Sequence, residues 1–224
     1  MTMKVLEKTI YKDFVIHVAG KEHETWVETI IDEMAKSAKA RGTGIAKRSP
    51  EYLISKIQEG KAIIAFTKDH KWAGFCYIET WEHGNFVANS GLIVHPDYRK
   101  SGVATAIKAK AFRLSRHMYP KANIVGLTTS MAVMKINSEL GYEPVSFSEL
   151  PKDDAFWKGC QTCVNYDILT RTKRLHCLCT GMKYVAKKPV KPIVPEWEFE
   201  EESSLYEKWL KMKQRILLRR PGKN

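Results

Sequence analysis

Six consecutive residues, Arg99-Lys100-Ser101-Gly102-Val103-Ala104, have the types and spacing that phosphate binding asks for. Glycine ahead of a helix lets backbone come close to a bulky anion, and the first amides of that helix point outward without partners. Such an end attracts phosphate, and Arg99 and Lys100 would add charge-assisted bonds. Small Ala104 keeps a second approach point clear. A lone glycine before a helix is more often an ordinary turn, so the motif needs its context. A second group follows in Cys160-Gln161-Thr162-Cys163 and, after 13 residues, Cys177-Leu178-Cys179. Two close thiol pairs suit tetrahedral zinc, although C-x-C is a less typical half than C-x-x-C. Three states compete for Cys160, Cys163, Cys177 and Cys179: a structural zinc site, reduced core thiols, and a redox pair. Zinc leads and redox trails, because no thioredoxin-like strand and helix flank the C-x-x-C.

The elements that position these groups can be traced from hydrophobic periodicity. Phe14 to Val18 reads as a strand, and Trp26 to Ala40 as a helix with Val27, Ile30, Ile31, Met34 and Ala38 on one face. Arg41-Gly42-Thr43-Gly44 breaks it, and Ser49-Pro50 caps a second short helix carrying Leu53, Ile54 and Ile57. The loop between them is basic, with Arg41, Lys47 and Arg48. Ala62 to Phe66 and Trp72 to Trp81 form a hairpin across the polar turn Lys68 to Lys71, and Val87 to Val94 is a further strand. Beyond the glycine loop comes a helix with core face Ile107, Ala111, Leu114 and Met118, while Lys108, Lys110, Arg113 and Arg116 decorate its other faces. Pro120 ends it. Ile124 to Leu127 is a buried strand. Thr128-Thr129-Ser130 then caps a helix bearing Val133, Ile136 and Leu140, which Gly141 terminates, and Pro144 to Phe147 is extended again.

A chain of 224 residues can bury roughly 70–75% of its unfolded surface in one core. With 44% hydrophobic and 28% charged residues it is too apolar for general disorder. No run approaches the ~18 apolar residues of a membrane span, and no signal region opens the chain, so a cytoplasmic location and no membrane partner are expected. Five cysteines are too few for a secreted disulfide scaffold. The net charge of +12 favours an anionic partner without choosing among nucleic acid, phosphate-bearing cofactor and dicarboxylate. Three prolines between Pro189 and Pro195 mark a linker, so residues 1–188 are expected as the main domain, including the cysteine segment 160–179. In 189–224, Leu205, Trp209, Met212 and Ile216 form an amphipathic helix that would dock on the main domain or on a second copy as a homodimer.

The run from Gly91 through Val94, His95-Pro96-Asp97-Tyr98 and Arg99 to Ala104 resembles the central motif of the GNAT superfamily of N-acetyltransferases. The order of elements from Phe14 to Phe147 is similar to that family's as well. The resemblance implies an α+β GNAT (acyl-CoA N-acyltransferase) fold, a mixed central sheet flanked by helices, here extended by the cysteine-rich segment and the C-terminal helix. It also implies acetyl-CoA or another acyl-CoA as co-substrate. Amides from Lys100 through Ser101, Gly102 and Val103 to Ala104 would hold its pyrophosphate, with Ile93 and Val94 against the pantetheine arm and thioester. A narrower resemblance, in Lys47-Arg48-Ser49, Gly126-Leu127-Thr128-Thr129 and Leu140-Gly141-Tyr142-Glu143-Pro144, is to the acetyltransferase domain of N-acetylglutamate synthases. It implies that Arg48 clamps a substrate carboxylate, that Thr128 and Thr129 lie near the reacting groups, and that glutamate is acylated on the way to arginine.

The sequence departs from the family where a glutamate is often found on the strand entering the cofactor loop, offering Ala88-Asn89-Ser90 instead. Glu79 and His83 on the neighbouring segment are the remaining candidates for a base acting through water. Asn137 stands where a tyrosine is often found, and can hydrogen-bond coenzyme A or substrate but cannot act as a general acid. Other acceptors stay open, whether another small amine, an antibiotic or a protein N-terminus. So do a fold that only senses coenzyme A and a nucleic-acid- or ribosome-binding module. The last is disfavoured because no aromatic RNA-binding signature accompanies the charge.

Overall fold

A computed structural model describes residues 8–42 and 47–186. In chain order these form β1 (Thr9–Tyr11), β2 (Phe14–Val18), α1 (Val27–Arg41), α2 (Pro50–Gln58), β3 (Ala62–Thr67), β4 (Trp72–Trp81) and β5 (Phe86–Val94). There follow α3 (Val103–Met118), β6 (Asn123–Thr128), α4 (Met131–Glu139), β7 (Glu143–Val145), α5 (Asp154–Lys158), α6 (Tyr166–Arg171) and β8 (Thr180–Tyr184). The eight strands make one sheet in the order β1-β2-β3-β4-β5-β6-β8-β7. Every neighbouring pair is antiparallel except β5 and β6. No helix among the described residues is long and apolar enough to cross a membrane. The linker at 189–195 and the helix expected over 205–216 lie outside the described residues.

Local chemistry sets the helix limits. Ser49 Oγ accepts from the Tyr52 amide at 3.3 Å and Pro50 sits in the first turn of α2, which buries Leu53 and Ile57. Gly42, at φ 60°, closes α1 with its amide on the Lys39 carbonyl. Of the three hydroxyl residues ahead of α4, Ser130 is the cap, accepting from the Val133 amide. The helical pair α1 and α2 covers one face of the sheet, with Val27, Ile30, Met34, Leu53 and Ile57 against Ala62, Ile64, Phe75, Tyr77 and Ile93. Full burial is worth about 1.5–3 kcal/mol for each large side chain here. A smaller cluster of Ala88, Val125, Phe147, Leu150, Phe156, Trp157 and Leu169 seats the segment between β7 and β8.

The sheet contains a wedge. β5 and β6 pair only over Phe86↔Asn123, Val87↔Ile124 and Ala88↔Val125. Past Ala88, β5 stays with β4 as far as Val94↔Gly74, and β6 stays with β8 as far as Thr128↔Thr180, so the two parallel strands part. Within the open stretch β5 carries an irregularity: Phe75 pairs with Ile93 but Tyr77 with Ser90, so β5 holds one extra residue. Gly91 accommodates it at φ 63°, where a Cβ would collide with the Tyr77 ring.

Two expectations are corrected. Strand β7 stops at Val145, and Phe147 opens a 3-10 turn because its ring belongs to the Trp157 cluster. Lys108 and Lys110 do not decorate the surface: each is 2% exposed, because α3 is covered on more than one side by the sheet and by the β1 edge. Lys108 Nζ donates to the Asn89 carbonyl at 3.4 Å and lies 5.6 Å from the Tyr142 ring centre. Lys110 Nζ reaches Thr9 Oγ1 at 3.3 Å.

Burial drives the Lys108 pKa down from 10.5, so the unfolded chain holds this proton more tightly than the folded one. Stability therefore rises with pH between the depressed folded value and 10.5, the unfolded reference. Denaturant midpoints of wild type and Lys108→Met, compared from about pH 7 to about pH 10, should lose that component in the variant. The variant should also be more stable by about 1 kcal/mol at neutral pH.

Candidate active site

At the mouth of the wedge, residues 95–102 carry the chain from β5 into α3. A 3-10 turn at Pro96–Tyr98 precedes the left-handed Gly102, which at φ 92° is the N-cap of α3. Ser101 Oγ accepts from the Val103 amide at 3.3 Å, and Val103, 1% exposed, anchors the helix start in the core. Among the described residues nothing accepts from the amides of Gly102 and Ala104. The loop thus has the geometry expected of an anion cradle.

Arg99 has a different role from the expected one. Its guanidinium donates to Glu33 Oε1 at 2.8 Å, to Ser37 Oγ at 2.9 Å and, through Nε, to the Val94 carbonyl at 3.3 Å. It braces the loop against α1 rather than facing an anion, because Glu33 on α1 offers a fixed counter-charge. The turn between β1 and β2, which periodicity did not flag, supplies a nearby cation instead: Lys12 Nζ donates to the Ser101 carbonyl at 3.2 Å. Tyr11 lies against Gly102, where any Cβ would strike its hydroxyl. Lys100 is exposed.

Ile93 and Val94 divide. The Ile93 side chain is 4% exposed in the α1–α2 core, so only its backbone borders the wedge. Val94 is half-buried at the strand end. On the opposite wall, Gly126 of β6 admits Asn137 of α4, whose Nδ2 would lie 3.7 Å from a Cβ there. Asn137 is 1% exposed. Its Nδ2 reaches Met182 Sδ at 3.6 Å, and its Oδ1 is buried without a partner. A buried, unpaired carbonyl oxygen is costly unless something fills the gap.

Arg48, Tyr52, Tyr77 and Glu79 meet beside the wedge. Arg48 donates through Nη2 to Glu79 Oε1 at 3.0 Å and through Nε to the Tyr77 hydroxyl at 3.0 Å. The Tyr52 hydroxyl donates to the same Glu79 oxygen, and the guanidinium lies 5.0 Å from the Tyr52 ring centre. Burial opposes the charge on Arg48, but Tyr77 and Glu79 outweigh it and hold its pKa above the usual value. Burial, reinforced by Glu79, pushes the hydroxyls of Tyr52 and Tyr77 well above the ordinary tyrosine range. Both tyrosines therefore remain protonated donors. Neither was signalled by the sequence, since Tyr52, four residues after Arg48, and Tyr77, two before Glu79, come together only after α2 has packed on the β3–β4 hairpin.

His83 does not join them. It is exposed, at φ 55°, in the β4–β5 turn, next to the end of β5 that is still paired with β6. Asn89, where a family glutamate was sought, is a structural junction: Nδ2 donates to Ser115 Oγ at 2.7 Å and Oδ1 accepts from the Tyr142 hydroxyl at 3.2 Å. Thr128 and Thr129 stand half-buried at the end of β6, and Thr128 Oγ1 accepts from the Ser130 amide at 3.0 Å.

The structure does not support the zinc expectation. Cys160, Cys163, Cys177 and Cys179 are mutual neighbours, and three of them pack on the Phe156–Trp157 cluster. Yet among the described residues no three His, Cys, Asp or Glu side chains are placed to hold a metal ion. The four thiols are half-buried, and burial against this aromatic cluster, with the other thiols close by, pushes Cys160 up to about 11 and Cys179 up to about 12. The loop contributes elsewhere: Thr162 Oγ1 accepts from the Lys47 amide at 3.3 Å, tying the cysteine segment to the Arg48 loop.

Residues 49–135 match the model of the acetyltransferase (GNAT) family. No curated protein sequence matches significantly. Among solved structures, N-acetylglutamate synthase from Neisseria gonorrhoeae, complexed with coenzyme A and N-acetylglutamate, superposes with a TM-score of 0.56 at 17% identity. The match covers 80% of this chain and 37% of that one, so this chain spans little more than a third of its length. Rv2747 from Mycobacterium tuberculosis, in complex with CoA and NLQ, gives 0.55 at 14% identity over 76% of this chain and 98% of that one. A phosphinothricin acetyltransferase from Sinorhizobium meliloti, in complex with AcCoA, gives 0.53 at 11% identity over 83% and 97%. The fold is that of the GNAT acetyltransferases.

Removing one partner of the half-buried ion pair strands the other. Arg48→Ala should lower unfolding free energy by about 2–3 kcal/mol, and Arg48→Ala with Glu79→Ala should cost less than the sum of the two single changes, as read from denaturation of all four proteins.

Proposed function

We propose that this chain, whose residues 49–135 match the acetyltransferase (GNAT) family model, transfers an acyl group from acyl-CoA to the amine of a small carboxylate-bearing acceptor, with glutamate first in line. The observation that carries the proposal is the parting of β5 and β6 beside an amide-lined loop, with an unpartnered Asn137 oxygen in one wall.

Each residue has a task in that reaction. Amides at Gly102 and Ala104 hold the diphosphate of the acyl carrier, with Lys12 adding charge from the β1–β2 turn. The Asn137 Oδ1 accepts from an amide N–H of the carrier's arm, which would satisfy an oxygen otherwise buried at a cost. Arg48 binds an acceptor carboxylate, for which a planar guanidinium is suited, while Thr128 and Thr129 at the wedge mouth contact the acceptor. Acyl transfer needs a neutral amine, so a base must take a proton from the ammonium form. Glu79 is the carboxylate available for this; the exposed turn residue His83 is set aside. Backbone around the extra residue of β5 would polarise the thioester carbonyl.

Thiol release from acetyl-CoA and succinyl-CoA, followed across a panel of amino acids, amines and peptides, tests the proposal, and turnover with an acidic amino acid is the expected result. Salt-sensitive RNA binding without coenzyme A binding would point to the nucleic-acid alternative instead. Gly102→Asp adds a side chain that meets Tyr11 and a negative charge at the anion cradle. It should weaken coenzyme A binding, measured by calorimetry, by about 100-fold or more. Asn137→Ala should raise the KM for acyl-CoA by roughly tenfold. Unchanged kinetics would remove Asn137 from the site.

A further inference from the structure

The clamp assigned to an acceptor carboxylate already holds one. Glu79 Oε1 takes the Arg48 guanidinium at 3.0 Å and the Tyr52 hydroxyl as well, and the two charged side chains are 19% and 9% exposed. A pair this buried persists because its charges are matched and hydrogen-bonded, and neither charge can leave without a replacement. An amine that brings no carboxylate offers Arg48 no replacement. An amine that brings one offers the same chemical group on the same donors, so the exchange costs little beyond moving Glu79.

We propose that the acceptor's carboxylate displaces Glu79 from Arg48, and that Glu79 is thereby released to take the proton from the acceptor's ammonium group. This rests on the acyltransferase reading of the site and adds how the site selects its substrate. In the first step the ammonium N–H bond breaks and the proton passes to the Glu79 carboxylate, directly or through water, leaving a neutral amine. In the second the amine nitrogen bonds to the thioester carbon, the carbon–sulfur bond breaks, and the nitrogen's surplus proton ends on the coenzyme A thiol. Glu79 then returns its proton to solvent and closes again on Arg48. The self-paired state is thus a gate opened by the substrate's acidity. Tyr77 keeps its bond to Arg48 Nε throughout, so the guanidinium stays in place while its carboxylate partner changes.

The kinetic signature separates displacement from simple positioning. Glu79→Gln keeps the shape and the hydrogen-bonding oxygen for Tyr52 but removes the charge that competes for Arg48. With acyl-CoA saturating, the variant's KM for glutamate should fall by about five- to tenfold, as expected when a competing closed state is weakened. Its kcat should fall by about 100-fold through loss of the base. Calorimetric titration of the coenzyme A-bound protein with L-glutamate should show the same tightening, and this readout does not depend on turnover. If Glu79→Gln binds glutamate more weakly than wild type, Glu79 merely orients Arg48 and the displacement is refuted. Equal turnover by wild type of the matching amine without a carboxylate would refute it too. Coenzyme A binding by the variant, equal to wild type, reports that it is folded. Failure of wild type to release thiol with any acceptor would instead sink the acyltransferase reading on which the inference stands.

Discussion

The separation of β5 from β6 after three shared residue pairs governs the arrangement of this protein. Parallel strands that continued in register would seal the sheet and leave no slot for an extended ligand between them. The separation is sustained by competing partners: β4 holds β5 to Val94, and β8 holds β6 to Thr128. Each partner is itself locked by burial, β4 on both faces and β8 through Met182, which is 1% exposed. The glycine loop, the Asn137 wall and the extra residue of β5 all border the resulting gap.

Beside the gap, charge is stored in pairs. Arg99 is spent on Glu33, Arg48 on Glu79, and Lys108 lies within the core against a carbonyl and a ring. A strongly basic chain therefore presents less free positive charge at this site than its composition suggests. What the site offers an anion is mostly backbone amide, joined by exposed Lys100 in the loop and exposed Lys12 from a neighbouring turn. Backbone donors are fixed in place by the fold, so they hold a ligand without the entropy loss of ordering long side chains.

Much of the fold was legible because its signals are local. Ser49-Pro50 and Gly42 place helix ends, and apolar runs at 62–66 and 72–81 place the central hairpin where it lies. The glycine turn ahead of α3 was equally readable, since glycine before an amphipathic helix is a contiguous pattern. What escaped depends on distant partners. Arg99 looked like a phosphate ligand until Glu33, 66 residues earlier, was placed beside it. Tyr52 and Tyr77 acquire meaning only through Arg48 and Glu79. Lys108 and Lys110 obeyed the helical pattern of a polar face, and only the tertiary cover of α3 made that face interior. The cysteine spacing suggested a metal, whereas in the fold three of the four thiols lie half-buried against the Phe156 and Trp157 cluster.

Strand β8 enters the sheet between β6 and β7, after the whole excursion of residues 146–179 has been laid down. Until it arrives, β6 has no antiparallel neighbour, β7 has nothing to pair with, and the far wall of the gap is an unsupported edge. During synthesis the half bearing the glycine loop can therefore assemble well before the half that gives the gap its second side. Closing that long loop is a late, non-local event whose entropic cost the earlier contacts do not share. The thiol-rich excursion thus divides assembly in time: the order in which the chain emerges separates making the glycine loop from making the second wall of the gap.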